Sequence, residues 1–135
     1  MSTPLPSMIS NQKIVVVDDN PASLYSTSRI LRSAGFEVIE AGNAAEGLRA
    51  ARSHPQLDVV IVDRGLPDRD GMEVVAELRT QLPSLPVIVA SGYGDTLDDP
   101  NLRNDPYIRF MSKPYDIDAL TTALRALHVR TKQRS

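Results

Sequence analysis

Apolar residues fall along the chain in short unbroken runs that alternate with stretches repeating every three or four positions. Lys13-Ile14-Val15-Val16-Val17, Phe36-Glu37-Val38-Ile39, Leu57-Asp58-Val59-Val60-Ile61-Val62, Leu85-Pro86-Val87-Ile88-Val89-Ala90 and Tyr107 to Met111 have strand length and are mostly apolar. Between them, Leu24, Ile30 and Leu31, then Ala44, Ala45, Leu48 and Ala51, then Met72, Val75 and Leu78 mark the inward sides of three helices. A last helix, from about Asp116 to His128, turns Ile117, Leu120, Leu124 and Leu127 inward. Asn20 followed by Pro21 reads as an N-cap and first helical residue, Asn43 as a second N-cap, and Gly35 as a helix stop. The connection Asp95 to Pro106 is expected to be short-helical or irregular, because Leu97 and Leu102 are its only clearly apolar residues and Pro100 removes an amide donor. This βα rhythm predicts a doubly wound α/β domain around a five-stranded parallel sheet, order 2-1-3-4-5, with helices on both faces.

The polar residues then fall into place. Asp18 and Asp19 follow the first strand, Asp63 the third, Ser91 the fourth and Lys113 the fifth, so all lie at one edge of the sheet. In such sheets ligands bind beyond the carboxyl ends of the strands, where the strand order reverses. Three converging carboxylates repel one another unless a cation enters, and Mg²⁺, a hard ion that prefers oxygen ligands, is the natural candidate. A carboxylate beside Mg²⁺ and a lysine can attack a phosphoryl group, so the chemistry implied is formation and hydrolysis of an aspartyl phosphate.

Composition narrows the setting. The chain has 135 residues, enough for one domain, expected over 13–128 with loose tails at 1–12 and 129–135. Having no cysteine, it can form neither a disulfide nor a thiolate metal site, and the cytoplasm is the default location. A net charge of −2 argues against a general nucleic-acid binder, and no segment reads as a signal peptide or membrane span. The basic residues Arg125, Arg130, Lys132 and Arg134 read as a solvated helix face and tail.

Taken in order and spacing, Asp18-Asp19, Asp63 with Leu66-Pro67 and Asp70-Gly71, Ser91-Gly92 and Lys113-Pro114 make the chain resemble a response-regulator receiver domain of two-component signalling, over roughly Lys13 to His128. The resemblance implies a flavodoxin-like fold with Asp63 as phosphoacceptor, and Mg²⁺ held by Asp18, Asp19, Asp63 and the Gly65 backbone carbonyl. It further implies that Ser91 receives a phosphoryl oxygen, Lys113 pairs with the phosphate, and Phe110 stands at the aromatic switch position, although Phe110 also reads as simple core. The implied donor is a sensor histidine kinase or a histidine phosphotransfer domain, with no nucleic-acid or membrane partner. The implied role is a switch that promotes its own phosphorylation and slow dephosphorylation, rather than an enzyme.

The sequence departs from the commonest family pattern at Arg64-Gly65, where an apolar and then a polar side chain are frequent, and at Asp95 to Pro106, where a regular helix is usual. Ser91-Gly92-Tyr93-Gly94 resembles receivers attached to hybrid sensor kinases. Two alternatives stand beside this reading. An aspartate-based phosphatase of the haloacid dehalogenase type wants a second Asp two residues after the nucleophile, where Gly65 stands; a non-phosphorylated docking module would not require the five polar residues.

Overall fold

The computed structural model describes residues 12–92, 105–113 and 115–132. The expectation for Asp95 to Pro106 thus falls mostly outside the described residues, as do residues 1–11 and 133–135 of the predicted tails, Tyr93 and Pro114. Five strands, β1 (Lys13–Val17), β2 (Glu37–Ala41), β3 (Val59–Asp63), β4 (Val87–Ser91) and β5 (Ile108–Ser112), pair in parallel in the order β2-β1-β3-β4-β5. Four helices are described: α1 (Pro21–Ser33), α2 (Ala44–Ser53), α3 (Gly71–Gln81) and α4 (Ile117–Lys132).

Both faces of the sheet are covered, which is why the strands read as continuous apolar runs rather than as alternating ones. The pleat sorts them into two cores. Val15, Val17, Val60, Val62, Val87, Val89 and Ile108 meet Leu48, Val75 and Leu78 of α2 and α3. Ile14, Val16, Val59, Ile61, Ile88, Ala90 and Met111 meet Leu31, Leu120, Leu124 and Leu127 of α1 and α4.

Local signals act as their chemistry requires. Asn20 Oδ1 accepts the Ser23 N–H at 3.0 Å and Asn43 Oδ1 the Glu46 N–H at 2.8 Å, capping α1 and α2. Gly35, at φ 98°, takes the left-handed conformation that ends α1. β1 matches its apolar run, but the other four strands begin one or two residues later than theirs. Asp58 stands one residue before β3, its N–H donating to Lys13 O at 3.0 Å and its carboxylate accepting the Lys13 N–H at 2.8 Å, and β2 runs on to Ala41, which pairs with Val17. The predicted C-terminal tail is in part helix: nothing in Val129 to Lys132 breaks it, and α4 continues to Lys132. Ile117, expected inside, is 55% exposed in the first turn of α4, and Ala45 is exposed while Gly47 lies buried. A Cβ on Gly47 would come within 2.6 Å of Val17 Cγ2, so the helix approaches β1 through its glycine.

Thr27 and Ser28 of α1 are buried although both are polar. Thr27 has a partner, but the Ser28 hydroxyl, on a residue with no exposed surface, has none among the described residues. A buried hydroxyl without a hydrogen bond costs about 1–3 kcal/mol. Ser28→Ala is therefore expected to leave stability unchanged or raise it by about 1 kcal/mol, measured by urea unfolding; a loss of stability would contradict this account of the site.

Candidate functional site

Backbone ladders continue one step beyond the strands and hold the polar residues at the edge. Asp18 donates its N–H to Ala41 O at 3.0 Å, Arg64 to Ala90 O at 2.8 Å and Lys113 to Ser91 O at 2.8 Å. Pleat parity then aims the side chains. Asp18 continues the row of Ile14 and Val16, Asp63 that of Val59 and Ile61, and Lys113 that of Met111, all on the α1/α4 face. Ala90, paired with both Asp63 and Met111, lies on that face between them, and its small side chain lets the lysine reach across β4.

Each buried carboxylate has one oxygen held by its own turn and one turned to the lysine. Asp18 Oδ1 accepts the Asn20 N–H at 2.9 Å and Asp63 Oδ1 the Gly65 N–H at 3.1 Å. Lys113 Nζ lies 3.0 Å from Asp63 Oδ2 and 3.8 Å from Asp18 Oδ2. Asp19 completes the group, being exposed, with one carboxylate oxygen from each of the three acids within 4.8 Å of the others. Three carboxylates against one ammonium leave an excess of negative charge around oxygen donors alone, a set that suits a hard divalent cation.

The charge imbalance is felt by its members. Burial pushes the Asp18 carboxyl above its ordinary value, helped by the Asp63 charge; bonds from Ser23 and the Asn20 backbone and the charge of Lys113 oppose this without cancelling it. Burial would lower Lys113, yet its bond to Asp63 and the charges of Asp18 and Asp63 outweigh that and raise it.

The loop after β3 is closed at its base. Gly71 donates its N–H to Arg64 O at 2.9 Å, Gly65 and Asp70 form an antiparallel bridge, and Arg64 Nε lies 3.4 Å from Asp70 Oδ1. A Cβ on Gly71 would stand 2.5 Å from the Asp63 carbonyl oxygen and 2.7 Å from Arg64 Cα, so this closure needs glycine. Asp70 caps α3, accepting the Met72 N–H at 2.9 Å.

Of the residues predicted from sequence, Asp18, Asp19, Asp63 and Lys113 come together as expected, and Gly65 sits beside Asp63. Ser91 ends β4 half-buried, with the parity of Val87 and Val89, on the opposite face. Phe110 shares that face through Ile108 on the edge strand β5 and is 42% exposed, so the reading of it as core is wrong: it joins neither core cluster among the described residues. Two residues carried no readable signal. Tyr115 shares a 2.7 Å hydrogen bond with Thr27, tying the chain just after Lys113 to α1, and Asp68 binds the start of α2. Both act across long sequence separations, which a linear pattern does not reveal.

A doubly wound sheet with an acid cluster and a lysine at its switch point defines a phosphoryl-transfer class of site. Residues 14–125 match the response regulator receiver domain, and the chain belongs to that family, the receiver domains of two-component signalling. It is 39% identical over 113 residues to the transcriptional regulatory protein KdpE of Mycobacterium tuberculosis, covering 84% of this chain and 49% of that protein. It is 30% identical to the sensor kinase CckA of Brucella abortus, covering 84% of this chain but 12% of the kinase. The receiver domain structure from Clostridium thermocellum superimposes with a TM-score of 0.79 at 30% identity, covering 90% of this chain and 98% of that one. The chain thus spans about half the length of KdpE.

The raised Asp18 value gives a stability test with a definite sign. Below pH 3.8, the ordinary value, both folded and unfolded states hold the proton; as pH rises through the folded value, the folded state comes to bear an ionised, buried carboxylate at a cost. Asp18→Asn keeps the oxygen that accepts from Asn20 and removes that charge. In chelator at pH 7 it is expected to be more stable than the parent by about 1 kcal/mol, the gain shrinking as pH falls and as Mg²⁺ is added to the parent. A variant that melts below the parent at pH 7 would contradict this.

Proposed function

We propose that this receiver takes a phosphoryl group on Asp63 from a phosphohistidine of a sensor kinase or histidine phosphotransfer domain. The observation that carries the assignment is the Asp63 carboxylate itself: one oxygen 3.0 Å from Lys113 Nζ, the other held by the Gly65 N–H, and two further acids within 4.8 Å. An Asp63 oxygen attacks phosphorus, the P–N bond breaks, and the imidazole leaves with the electron pair. Lys113 neutralises charge on the phosphoryl oxygens, and the Ser91 hydroxyl, once drawn over the end of β4 from the opposite face, donates to one of them. Asp18, Asp19, Asp63 and the Gly65 carbonyl would hold Mg²⁺, which when bound offsets the charge on the nucleophile and the phosphoryl oxygens. Hydrolysis of the acyl phosphate by water returns Asp63 to the carboxylate. This self-resetting is a switch function, slower and less general than an enzyme's turnover. Among the described residues no helix is long and apolar enough to cross a membrane, and a cytoplasmic location suits a chain that meets a phosphohistidine and carries no cysteine.

Acetyl phosphate with Mg²⁺ is expected to label the parent and not Asp63→Asn, read by intact mass. Equal labelling of both would remove Asp63 from the assignment, and no labelling of the parent would favour a docking module.

Ser91 and Phe110 share a face and stand diagonally across paired strands, Ser91 opposite Ser112 and Val89 opposite Phe110. A phosphate that draws the Ser91 hydroxyl toward it favours the arrangement in which Phe110 turns from its exposed position inward. Ser91→Ala is expected to label like the parent but to shrink the phosphorylation-induced NMR shift change at Phe110 at least about threefold, a loss of roughly 0.7 kcal/mol in coupling. An undiminished change would argue against Ser91 as the link.

A further inference from the structure

The start of α2 presents three backbone N–H groups that no helical carbonyl can reach, those of Ala44, Ala45 and Glu46. Asn43 takes the Glu46 N–H from within the same turn, and Glu46 Oε1 in return accepts the Gly42 N–H at 2.9 Å. The other two are taken from elsewhere in the fold. Asp68 Oδ1 accepts from Ala44 N at 2.9 Å and Asp68 Oδ2 from Ala45 N at 3.1 Å. Both oxygens of one carboxylate are thereby spent on the positive end of a helix 24 residues away in sequence. The first of these bonds also holds the Asp68 carboxyl below the usual carboxylate value, so the group stays charged.

The tie joins the two halves of the acidic site. Asp68 belongs to the Arg64–Asp70 loop that carries Gly65. Leu66 packs on the core and Arg69 pairs with Glu73 and Glu77 of α3, fastening the loop on its own side; Asp68 fastens it across, to α2. The two residues before α2, Gly42 and Asn43, lead straight back to Ala41, whose carbonyl accepts the Asp18 N–H. One short stretch of chain therefore holds the Asp18 backbone at one end and, through Asp68, the Gly65 loop at the other.

We propose that Asp68 is a positioning residue for the divalent-cation site, fixing the Gly65 backbone relative to Asp18 and Asp19 and so setting cation affinity without touching the cation. This rests on the reading of that site given above. Asparagine, with one acceptor oxygen, can keep half of the tie, and alanine none of it.

The test is a Mg²⁺ titration of the full chain followed by backbone amide NMR. Asp68→Ala is expected to weaken binding roughly tenfold, the low end of what losing an outer-shell partner costs, and Asp68→Asn to fall between it and the parent. Asn43→Ala removes a cap from the same helix end without touching the loop, and is expected to lower the melting temperature while keeping the parent's affinity. Parent-like affinity in Asp68→Ala, or an equal loss in Asn43→Ala, would overturn the proposal by reducing Asp68 to a helix cap. Asp68→Asn decides the matter if the alanine variant does not fold: parent affinity there overturns the proposal, a partial loss supports it. Asp19→Asn is the separate control. If it binds Mg²⁺ as tightly as the parent, the reading of the acidic site fails, and the proposal fails with it.

Discussion

The ion pair between Lys113 and Asp63 reaches from the end of β5 to the end of β3, over the intervening strand β4. It forms only because several unrelated requirements are met together: the strands are parallel, so that their carboxyl ends share an edge; the register puts both residues on one face; and Ala90 is small. The pair still does not balance the charge, since Asp18 and Asp19 stand within the same few ångströms. A sheet covered on both faces has no interior place for such charge, and its rim is where carboxylates can be half hydrated and half held.

Rigidity and electrostatic tension coexist at this rim. Ladder hydrogen bonds continue past β1, β3 and β5, and the turns after Asp18 and Asp63 each claim one carboxylate oxygen. The backbone cannot relax the repulsion by moving the acids apart, and burial holds the Asp18 carboxyl above its ordinary value. What is preorganised is a demand for positive charge, and a cation or a change in the charge of Asp63 is felt at once by its neighbours. Ser91 and Phe110, through which that change is proposed to be read out, lie on the other face of the sheet, and Phe110 is 42% exposed.

The connections around the site show a division of labour. Gly71 lets the backbone close tightly under Asp63, Asp70 begins α3, and Asp68 reaches the start of α2. On the far side, the Tyr115 hydroxyl meets Thr27 inside α1's packing surface, and burial raises its pKa above the ordinary phenol value. Arg79 reaches Asp105 at 2.6 Å, and Asp105 in turn accepts the Tyr107 N–H at 2.7 Å, which sets the entry into β5 and hence where Lys113 falls. These ties place the functional side chains without taking part in the chemistry.

Much of this was legible in the chain itself, because the signals are local. Apolar runs of strand length, helix caps at Asn20 and Asn43, and acids or a lysine at strand ends follow from burial and backbone chemistry within a few residues, and they sufficed for the strand order and for Asp18, Asp19, Asp63 and Lys113. Where two local preferences compete, the reading slipped: Leu57 and Leu85 look like strand residues but precede the ladders, and Ile117 looks like core but stands in an exposed first turn. Tertiary structure alone decided the partners of Asp68, Tyr115 and Arg79, and the exposure of Phe110. A hydrogen bond across 24 or 88 residues leaves no periodicity, since its second member is chosen by the folded surface it meets rather than by its neighbours in sequence.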